Sequence, residues 1–251
     1  MSKKAVAFSL VILLLIWEAA SLIVDSPLLP RPCLVIINFF SDLPHDLGRH
    51  ILASTWRIVI SMLLATAIGL PLGLMLGQNR RLDKFAYPLV YTTYPIPKIV
   101  LLPILILFLG IGDTSKVFLI TLILFFQVLV IVRDASRNIP SELVLSLRSL
   151  GANRKQMLRF VYFPACLPAT ITSLRLNVAI AIAVLYLAES FATASGLGYY
   201  IMDKWQQLSY TDMYVGILAM SLIGALSFVV LDILEKRVCR WTQAGKELVP
   251  V

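Results

Sequence analysis

The chain has 251 residues, of which 59% are hydrophobic and only 14% are charged. Soluble domains carry charge on about a quarter of their residues, so this composition excludes an ordinary soluble protein and predicts a lipid bilayer as the solvent. The net charge of +8 does not indicate nucleic acid as a partner, because a basic excess in a membrane protein usually marks its cytoplasmic loops.

Six segments are long and apolar enough to cross a membrane, which predicts an all-α integral membrane protein with a single domain over residues 1–251. They lie near residues 5–24, 54–77, 85–110, 116–133, 166–188 and 213–234. The first could also be a secretory signal cleaved near Ala19-Ala20. Its apolar character continues to Val24, however, so we expect a retained helix.

The basic residues predict the orientation of the chain. If the N-terminus is cytoplasmic, the inside segments hold fifteen lysines and arginines and the outside segments hold four. Because basic loops stay in the cytoplasm, both termini are predicted to be cytoplasmic. The inside residues are Lys3, Lys4, Arg80, Arg81, Lys84, Arg133, Arg137, Arg148, Arg154, Lys155, Arg159, Lys236, Arg237, Arg240 and Lys246. The outside residues are Arg31, Arg49, Lys116 and Lys204.

The two main outer segments have different patterns. Residues 25–53 contain four prolines and are predicted to form a loop with short helical pieces. Residues 189–212 contain Ser195-Gly196-Leu197-Gly198, a tight-turn signal that precedes another short helix.

The second predicted span carries Gly69, Gly73 and Gly77 at four-residue spacing. Glycines at this spacing form one smooth stripe, which allows another helix to approach the backbone closely. The stripe predicts helix packing within the chain, or else a subunit interface or a kink that lines a pathway.

The third predicted span is irregular, because three of its prolines, Pro95, Pro97 and Pro103, lie close together. Lys98 lies near its middle, where a lysine costs about 2.5–3.5 kcal/mol on insertion scales, so it should face a bundle interior or a watery cavity. We expect it either to pair with Glu189 or Asp232 or to line a translocation pathway.

Other polar residues lie in the predicted spans or at their edges. Pro97, Gln127 and Glu189 are candidate pathway residues together with Lys98. Arg57 and Arg175 lie nearer the span ends, where their long side chains are expected to reach the membrane interface.

The sequence offers no catalytic or metal-binding pattern. Its two histidines, His45 and His50, both lie in an outer segment, so an intramembrane nucleophile would have no histidine base. No phosphate-binding loop is present, and ATP would therefore have to be bound by a partner. Cys33, Cys166 and Cys239 are too scattered to indicate a disulfide framework or a metal site.

Residues 138–163, hereafter the coupling segment, form a basic stretch between the fourth and fifth spans. Pro140 and Glu142 suit a helix start, and Gly151 is typical of a left-handed helix end. Asn153 can cap a second helix over 154–163. The pattern predicts a compact helical projection, the alternative being an amphipathic helix lying on anionic lipid. The apolar stripe consists of Leu143, Val144, Leu147 and Leu150.

At this segment the chain resembles the permease subunits of ATP-binding-cassette (ABC) importers. Their signature is Glu-Ala-Ala, three residues, Gly, nine residues and Ile-x-Leu-Pro. Gly151 and Val161-Tyr162-Phe163-Pro164 keep that spacing, whereas Leu145-Ser146-Leu147 replace the acidic triplet. The resemblance continues over nearly the whole chain from about residue 15. Motifs similar to the nitrate, sulfonate and taurine branch are Tyr94-Pro95-Ile96-Pro97, the run from Phe108 to Lys116, Ala188-Glu189, Leu167-Pro168, Arg240-Trp241, and Ser195-Gly196-Leu197-Gly198-Tyr199.

The resemblance implies a type I importer permease in the bacterial cytoplasmic (inner) membrane. It implies a homodimer with a pathway along its interface, and two cytoplasmic ATPase subunits that bind ATP and Mg²⁺, so that this chain binds no cofactor itself. A periplasmic or lipid-anchored substrate-binding protein would deliver the cargo. The expected cargo is a small anion such as a sulfonate or taurine, nitrate or bicarbonate, with a thiamine-type pyrimidine as the alternative.

The resemblance also implies which residues couple the chain to its ATPase. Where the signature has glutamate, Leu145 offers only hydrophobic contact, so docking is expected to depend on packing and on Arg148, Arg154 and Arg159. An ATP-independent channel or carrier would need inverted repeats or an ion relay, and neither pattern is visible. The implied coupling residues are Glu142, Leu145, Leu147, Arg148, Leu150, Gly151, Ala152 and Arg154.

Overall fold

The computed structural model describes residues 3–191 and 193–241, and within them every regular element is helical. Turns of π-helix at Leu43–Leu47 and Leu158–Tyr162 join α2 to α3 and α8 to α9, and a 3-10 turn at Lys98–Leu101 precedes α5. The helices are α1 (Lys3–Val24), α2 (Pro32–Asp42), α3 (Gly48–Gln78), α4 (Arg80–Thr93), α5 (Leu102–Leu109), α6 (Asp113–Arg137), α7 (Ser141–Ser149), α8 (Arg154–Met157), α9 (Phe163–Ser190), α10 (Leu197–Gln206) and α11 (Tyr210–Val238).

Within the described residues, the apolar helices provide five candidate membrane spans, or six if the bent pair of α4 and α5 forms one span. The five continuous stretches are each long and apolar enough to span, and the pair of α4 and α5 is bent by 80°. The predicted all-α membrane fold is confirmed. The basic residue Lys246 and the predicted cytoplasmic C-terminal end lie outside the described residues.

The structure corrects the prediction for residues 25–53, because the chain is helical without interruption from Pro32 to Gln78. Pro32 lies in the first turn of α2, and Pro44 lies near the start of the π-turn. The N–H groups in the first turn of a helix have no intrahelical acceptor, so a proline there costs no hydrogen bond. Proline is therefore compatible with a helix start at this position.

The chain divides into two compact units, which are described separately. The first unit contains residues 3–56 and 186–223 except 192, and the second contains residues 57–185 and 224–241. The second unit has a buried apolar core. Its members are Leu74, Val128, Val132, Cys166, Ile171, Leu174, Val178, Leu231 and Cys239.

In the second unit, the glycine stripe of α3 packs against α6. A Cβ atom built on Gly69 would lie 3.1 Å from Cβ of Val128, and one on Gly73 would lie 2.8 Å from Cβ of Val132. A Cβ atom on Gly77 would lie 2.5 Å from Cβ of Ser136. Because both residue numbers rise by four at each step, the two helices run parallel, with their backbones close together.

An ion pair joins the other ends of α3 and α6. Arg57 donates to Oδ1 of Asp113 from Nε at 2.8 Å and from Nη2 at 2.6 Å, and its side chain is buried. Arg57 therefore has a partner within the chain, and its reach to the membrane interface stays a prediction. Ser61, one turn further along α3, donates to the carbonyl of Val117 at 3.2 Å.

A second ion-pair cluster lies near the stripe end of α6. Asp83 of α4 accepts from Nε and Nη2 of Arg133, both at 2.7 Å, and from Arg137 at 2.5 Å. The guanidinium of Arg133 also lies 3.7 Å from the ring centre of Tyr87. Both partners of the Asp83–Arg133 pair are almost fully buried, so removing either would disrupt a buried charge network to which Asp134 and Arg137 also belong.

These contacts explain why the bent pair must cross the membrane. α3 ends beside the C-terminal part of α6, whereas α6 begins beside Arg57, about 20 residues and 30 Å away along α3. The connection through α4 and α5 must cover that distance. It matches the thickness of the hydrocarbon core, so the pair is a broken span.

We predict that Gly73→Ala destabilises the protein by about 1–3 kcal/mol, because the new methyl group would meet the backbone carbonyl of Leu129 at 2.9 Å. Gly224→Ala is the matched control, since its methyl group would meet only the flexible end of Ile182. Thermal unfolding in detergent measures both. Equal midpoints for the two variants would contradict the close contact between α3 and α6.

Candidate functional site

The first half of the coupling segment is the exposed helix α7, which ends as the sequence predicts. Gly151 has φ +79°, in the left-handed region. Its N–H donates to the carbonyl of Arg148 at 2.9 Å, and the N–H of Ala152 donates to that of Leu147 at 3.1 Å. These two bonds form a Schellman motif, which fixes the direction in which the chain leaves α7.

The second half of the coupling segment is continuous with a membrane span. Asn153 and Gln156 exchange side-chain-to-backbone hydrogen bonds of 2.8 and 2.9 Å, which makes a capping box at the start of α8. The predicted second helix over 154–163 is helical as expected, but its predicted end is wrong, because the chain stays helical from Arg154 to Ser190. Pro164 lies in the first turn of α9, where the π-turn has already altered the hydrogen-bond pattern.

The coupling segment is held at one end and exposes apolar surface at the other. Met157 and Val161 are 5% and 6% exposed, so they anchor the segment in its unit. Leu143, Leu145 and Leu150 are 53%, 60% and 84% exposed. Leu143 and Leu150, seven residues apart, lie on one side of the helix and Leu145 lies on another, so the segment offers a protein partner apolar side chains on more than one face. Glu142, Arg148 and Arg154 are exposed beside them, whereas Val144 and Leu147 are half-buried.

Lys98 lies at the break between α4 and α5, just after Pro97, which ends the extended link. Its Nζ donates to the carbonyls of Thr93 at 3.1 Å, Tyr94 at 3.0 Å and Ile96 at 3.4 Å. The ammonium therefore donates to carbonyl groups around the turn after α4, where the carbonyl of Thr93 also accepts from the N–H of Ile96 at 3.3 Å. The alternative partner Asp232 pairs with Lys236 instead, at 2.6 Å.

A cavity of about 230 Å³ opens beside this lysine. The ammonium lies 4.5 Å from the ring centre of Phe126 and 5.7 Å from that of Tyr94. Gln127 also lines the cavity, and its buried Oε1 has no hydrogen-bond partner within the described chain. The cavity therefore combines a cation, an amide and two aromatic rings.

Glu189, another candidate pathway residue, lies in a different setting in the first unit. Its side chain is fully buried and accepts from Oγ of Ser54 at 2.8 Å and from the N–H of Gly198 at 2.9 Å. Oγ of Ser54 in turn accepts from the N–H of Leu197 at 2.8 Å. The motif from Glu189 to Gly198 thus caps the start of α10.

His50 completes this cap. Its Nδ1 accepts from the N–H of Gly196 at 3.0 Å, and its Nε2 lies 3.3 Å from Asp46. Tyr200 lies next to His50 and donates to Asp42 at 2.7 Å. Burial is the main cause that raises the pKa of Tyr200 well above its ordinary value, and the hydrogen bond to Asp42 and the nearby carboxylates raise it further. The hydroxyl therefore stays protonated and donates.

Sequence reasoning missed several residues that organise these sites. Ser54 and Asp83 carry no motif, although the burial of one and the pairing of the other follow from the fold. One signal was available: Ser61 and Ala65 extend the four-residue spacing of Gly69, Gly73 and Gly77 toward the start of α3.

Comparison with known proteins places the chain in a family. It matches the model described as "binding-protein-dependent transport system inner membrane component" over residues 69–240. The taurine transport system permease protein of Escherichia coli is 29% identical, over 92% of this chain and 86% of its own length. The riboflavin transport system permease protein of Chloroflexus aurantiacus is 32% identical, over 93% and 88%. The formylaminopyrimidine transport permease protein of Halalkalibacterium halodurans is 29% identical, over 91% and 92%.

The fold is also shared with a solved structure. A chain of the MetNI methionine ABC transporter, in an inward-facing conformation, matches with a TM-score of 0.65 and 23% identity. The match covers 76% of this chain and 95% of that one.

We predict that Ser54→Ala loosens the start of α10, because it leaves the buried N–H of Leu197 without its acceptor. Such a loss costs about 1–3 kcal/mol. Hydrogen exchange of the amides of residues 196–198 should accelerate. Ser190→Ala is the control, since Ser190 only donates to a carbonyl within its own helix. Unchanged exchange in Ser54→Ala would contradict the capping role.

Proposed function

Because the chain belongs to the family of binding-protein-dependent transport system inner membrane components, we propose that it is the membrane-spanning subunit of an ATP-driven importer. Two copies would form a homodimer with the translocation pathway along their interface. Two cytoplasmic ATPase subunits would bind the coupling segments, and a substrate-binding protein would deliver cargo to the outer side. The chain itself carries no catalytic site in this scheme.

The observation that carries the proposal is the construction of the coupling segment. α7 and its C-cap residue expose three leucines before the turn at a glycine with φ +79°, while α8 continues into the span α9. A partner bound to α7 can therefore displace a span directly, with little movement lost in a flexible linker. ATP and Mg²⁺, bound by the ATPase subunits, would drive that displacement.

We propose a small anion, such as a sulfonate, taurine, nitrate or bicarbonate, as the cargo. Lys98 supports this because its partners in the second unit are carbonyl groups and aromatic rings, which are neutral. These neutral groups do not cancel the positive charge of Lys98. In a low-dielectric cavity such a charge attracts an anion strongly. Relatives named for aliphatic sulfonate and nitrate transport agree with an anion.

A flat heterocycle is the second candidate cargo. The rings of Tyr94 and Phe126 line the same cavity as the amide of Gln127. Such a setting suits an aromatic ring with polar edges. Relatives named for formylaminopyrimidine and riboflavin transport belong to this class.

We predict that Gly151→Pro uncouples the chain from its ATPase. Proline fixes φ near −65° and removes the N–H that bonds Arg148, so α7 must leave its present direction. The amount of ATPase subunit that co-purifies, and its stimulation by the loaded binding protein, should fall about tenfold, the loss expected from one disrupted contact region of an interface. Arg154→Glu should lower the stimulation as well.

Gly110→Pro provides the matched control. Gly110 has φ +81° and open surroundings, like Gly151, but ends α5 at the predicted outer side. This variant should retain the bound ATPase. Full coupling in Gly151→Pro, or absence of any ATPase subunit from the wild-type preparation, would refute the proposal.

We predict that Lys98→Met lowers uptake about tenfold while the ATPase stays bound, because the cavity loses its charge. Lys98→Arg keeps the charge and should retain more uptake. The ligand of the binding protein, identified by mass spectrometry, should be an anion. An uncharged heterocycle there, with equal uptake in both variants, would favour the second candidate cargo.

A further inference from the structure

An open cleft of about 750 Å³ lies between the end of α3 and the coupling segment. Four arginines line it, and the lining includes no carboxylate. Within the described part of the chain, none of the four has an acidic side chain at ion-pair distance. The four are Arg80, Arg81, Arg148 and Arg154.

A neighbouring cleft of about 510 Å³ extends this basic surface. It shares Arg80 and Arg148 with the first cleft and adds Arg137, which is held by Asp83. Leu145 also lines it. The position at which the importer signature has a glutamate therefore faces arginines, and here it supplies no charge to pair with them.

Arg80 and Arg81 are the first two residues of α4, and the residue before them fixes the start of that helix. The side chain of Asn79 accepts from the N–H of Arg81 at 3.0 Å and of Leu82 at 3.3 Å, which caps α4. The two arginines thus begin a capped helix. Like charges gathered around one cleft repel each other, and a partner that brings carboxylates relieves this repulsion.

We infer that the arginine cleft receives carboxylate side chains of the ATPase subunit, with Arg80 and Arg81 as a docking element beside the coupling segment. This inference rests on the proposed function. The acid of the interface then lies on the partner rather than on this chain, which accounts for a leucine at position 145. The exposed leucines of α7, next to the cleft, favour a protein over a lipid headgroup as the occupant.

Charge reversal tests the inference in nanodiscs of neutral phosphatidylcholine, which contain no anionic lipid. The double variants Arg80→Glu/Arg81→Glu and Arg148→Glu/Arg154→Glu should each raise the Kd for the ATPase subunit about tenfold. They should also reduce the loss of affinity between low and high salt. Lys84→Glu/Lys236→Glu is the matched control, since both lysines are exposed and lie outside the cleft lining and the coupling segment.

Leu145→Glu gives a second, independent test. A glutamate at this position would lie among Arg80, Arg137 and Arg148 and pair within the chain. It should compete with the partner's carboxylates and weaken binding about threefold, the effect of one exposed ion pair. Tighter binding would mean that the cleft does not need the partner's acid, and would overturn the inference.

The remaining outcomes separate the two levels of the argument. If the wild-type chain binds the ATPase and the reversed variants bind as the lysine control does, the docking inference alone is overturned. If the reversed variants differ from the control only after anionic lipid is added, the cleft binds lipid headgroups and the inference is again overturned. If no ATPase subunit binds the wild type, the proposed function fails, and the inference with it.

Discussion

The parallel contact between α3 and α6 is the constraint from which the layout of the second unit follows. Three glycines allow the backbones to approach, and Arg57 with Asp113 fixes the other end. Parallel neighbours need a connection that returns across the membrane, and α4 and α5 supply it. The same contact brings Gly77 beside Ser136. The start of α4 and the start of the coupling segment therefore lie at the same end of the α3–α6 pair.

Local signals predicted much of this structure, because their causes are local. The turn at Gly151 needs a positive φ and the cap at Asn153 needs a short polar side chain, and both are visible in a few residues. The pair Asp83–Arg133 joins residues 50 positions apart and could not be predicted, because only the packing of α4 against α6 brings them together. The unbroken helix after Arg154 was missed for a related reason, since a π-turn absorbs the effect of Pro164.

Sequence similarity to relatives says less about the candidate cargo site than about the candidate coupling site. Relatives named for taurine, riboflavin and formylaminopyrimidine transport are all 29–32% identical to this chain. Overall similarity therefore follows the shared scaffold and does not distinguish among these cargoes. In the coupling segment the helix ends keep the family's spacing, whereas position 145 has a leucine where the importer signature has a glutamate.

The carbonyl cage around Lys98 also bears on how the chain is made. All three acceptor carbonyls lie in the same broken span as the ammonium, within five residues of Lys98. The broken span can therefore satisfy the hydrogen bonds of its ammonium during insertion, before α6 has been synthesised. A charged segment that depended on a distant carboxylate would have to wait for that partner at the membrane, and this one does not.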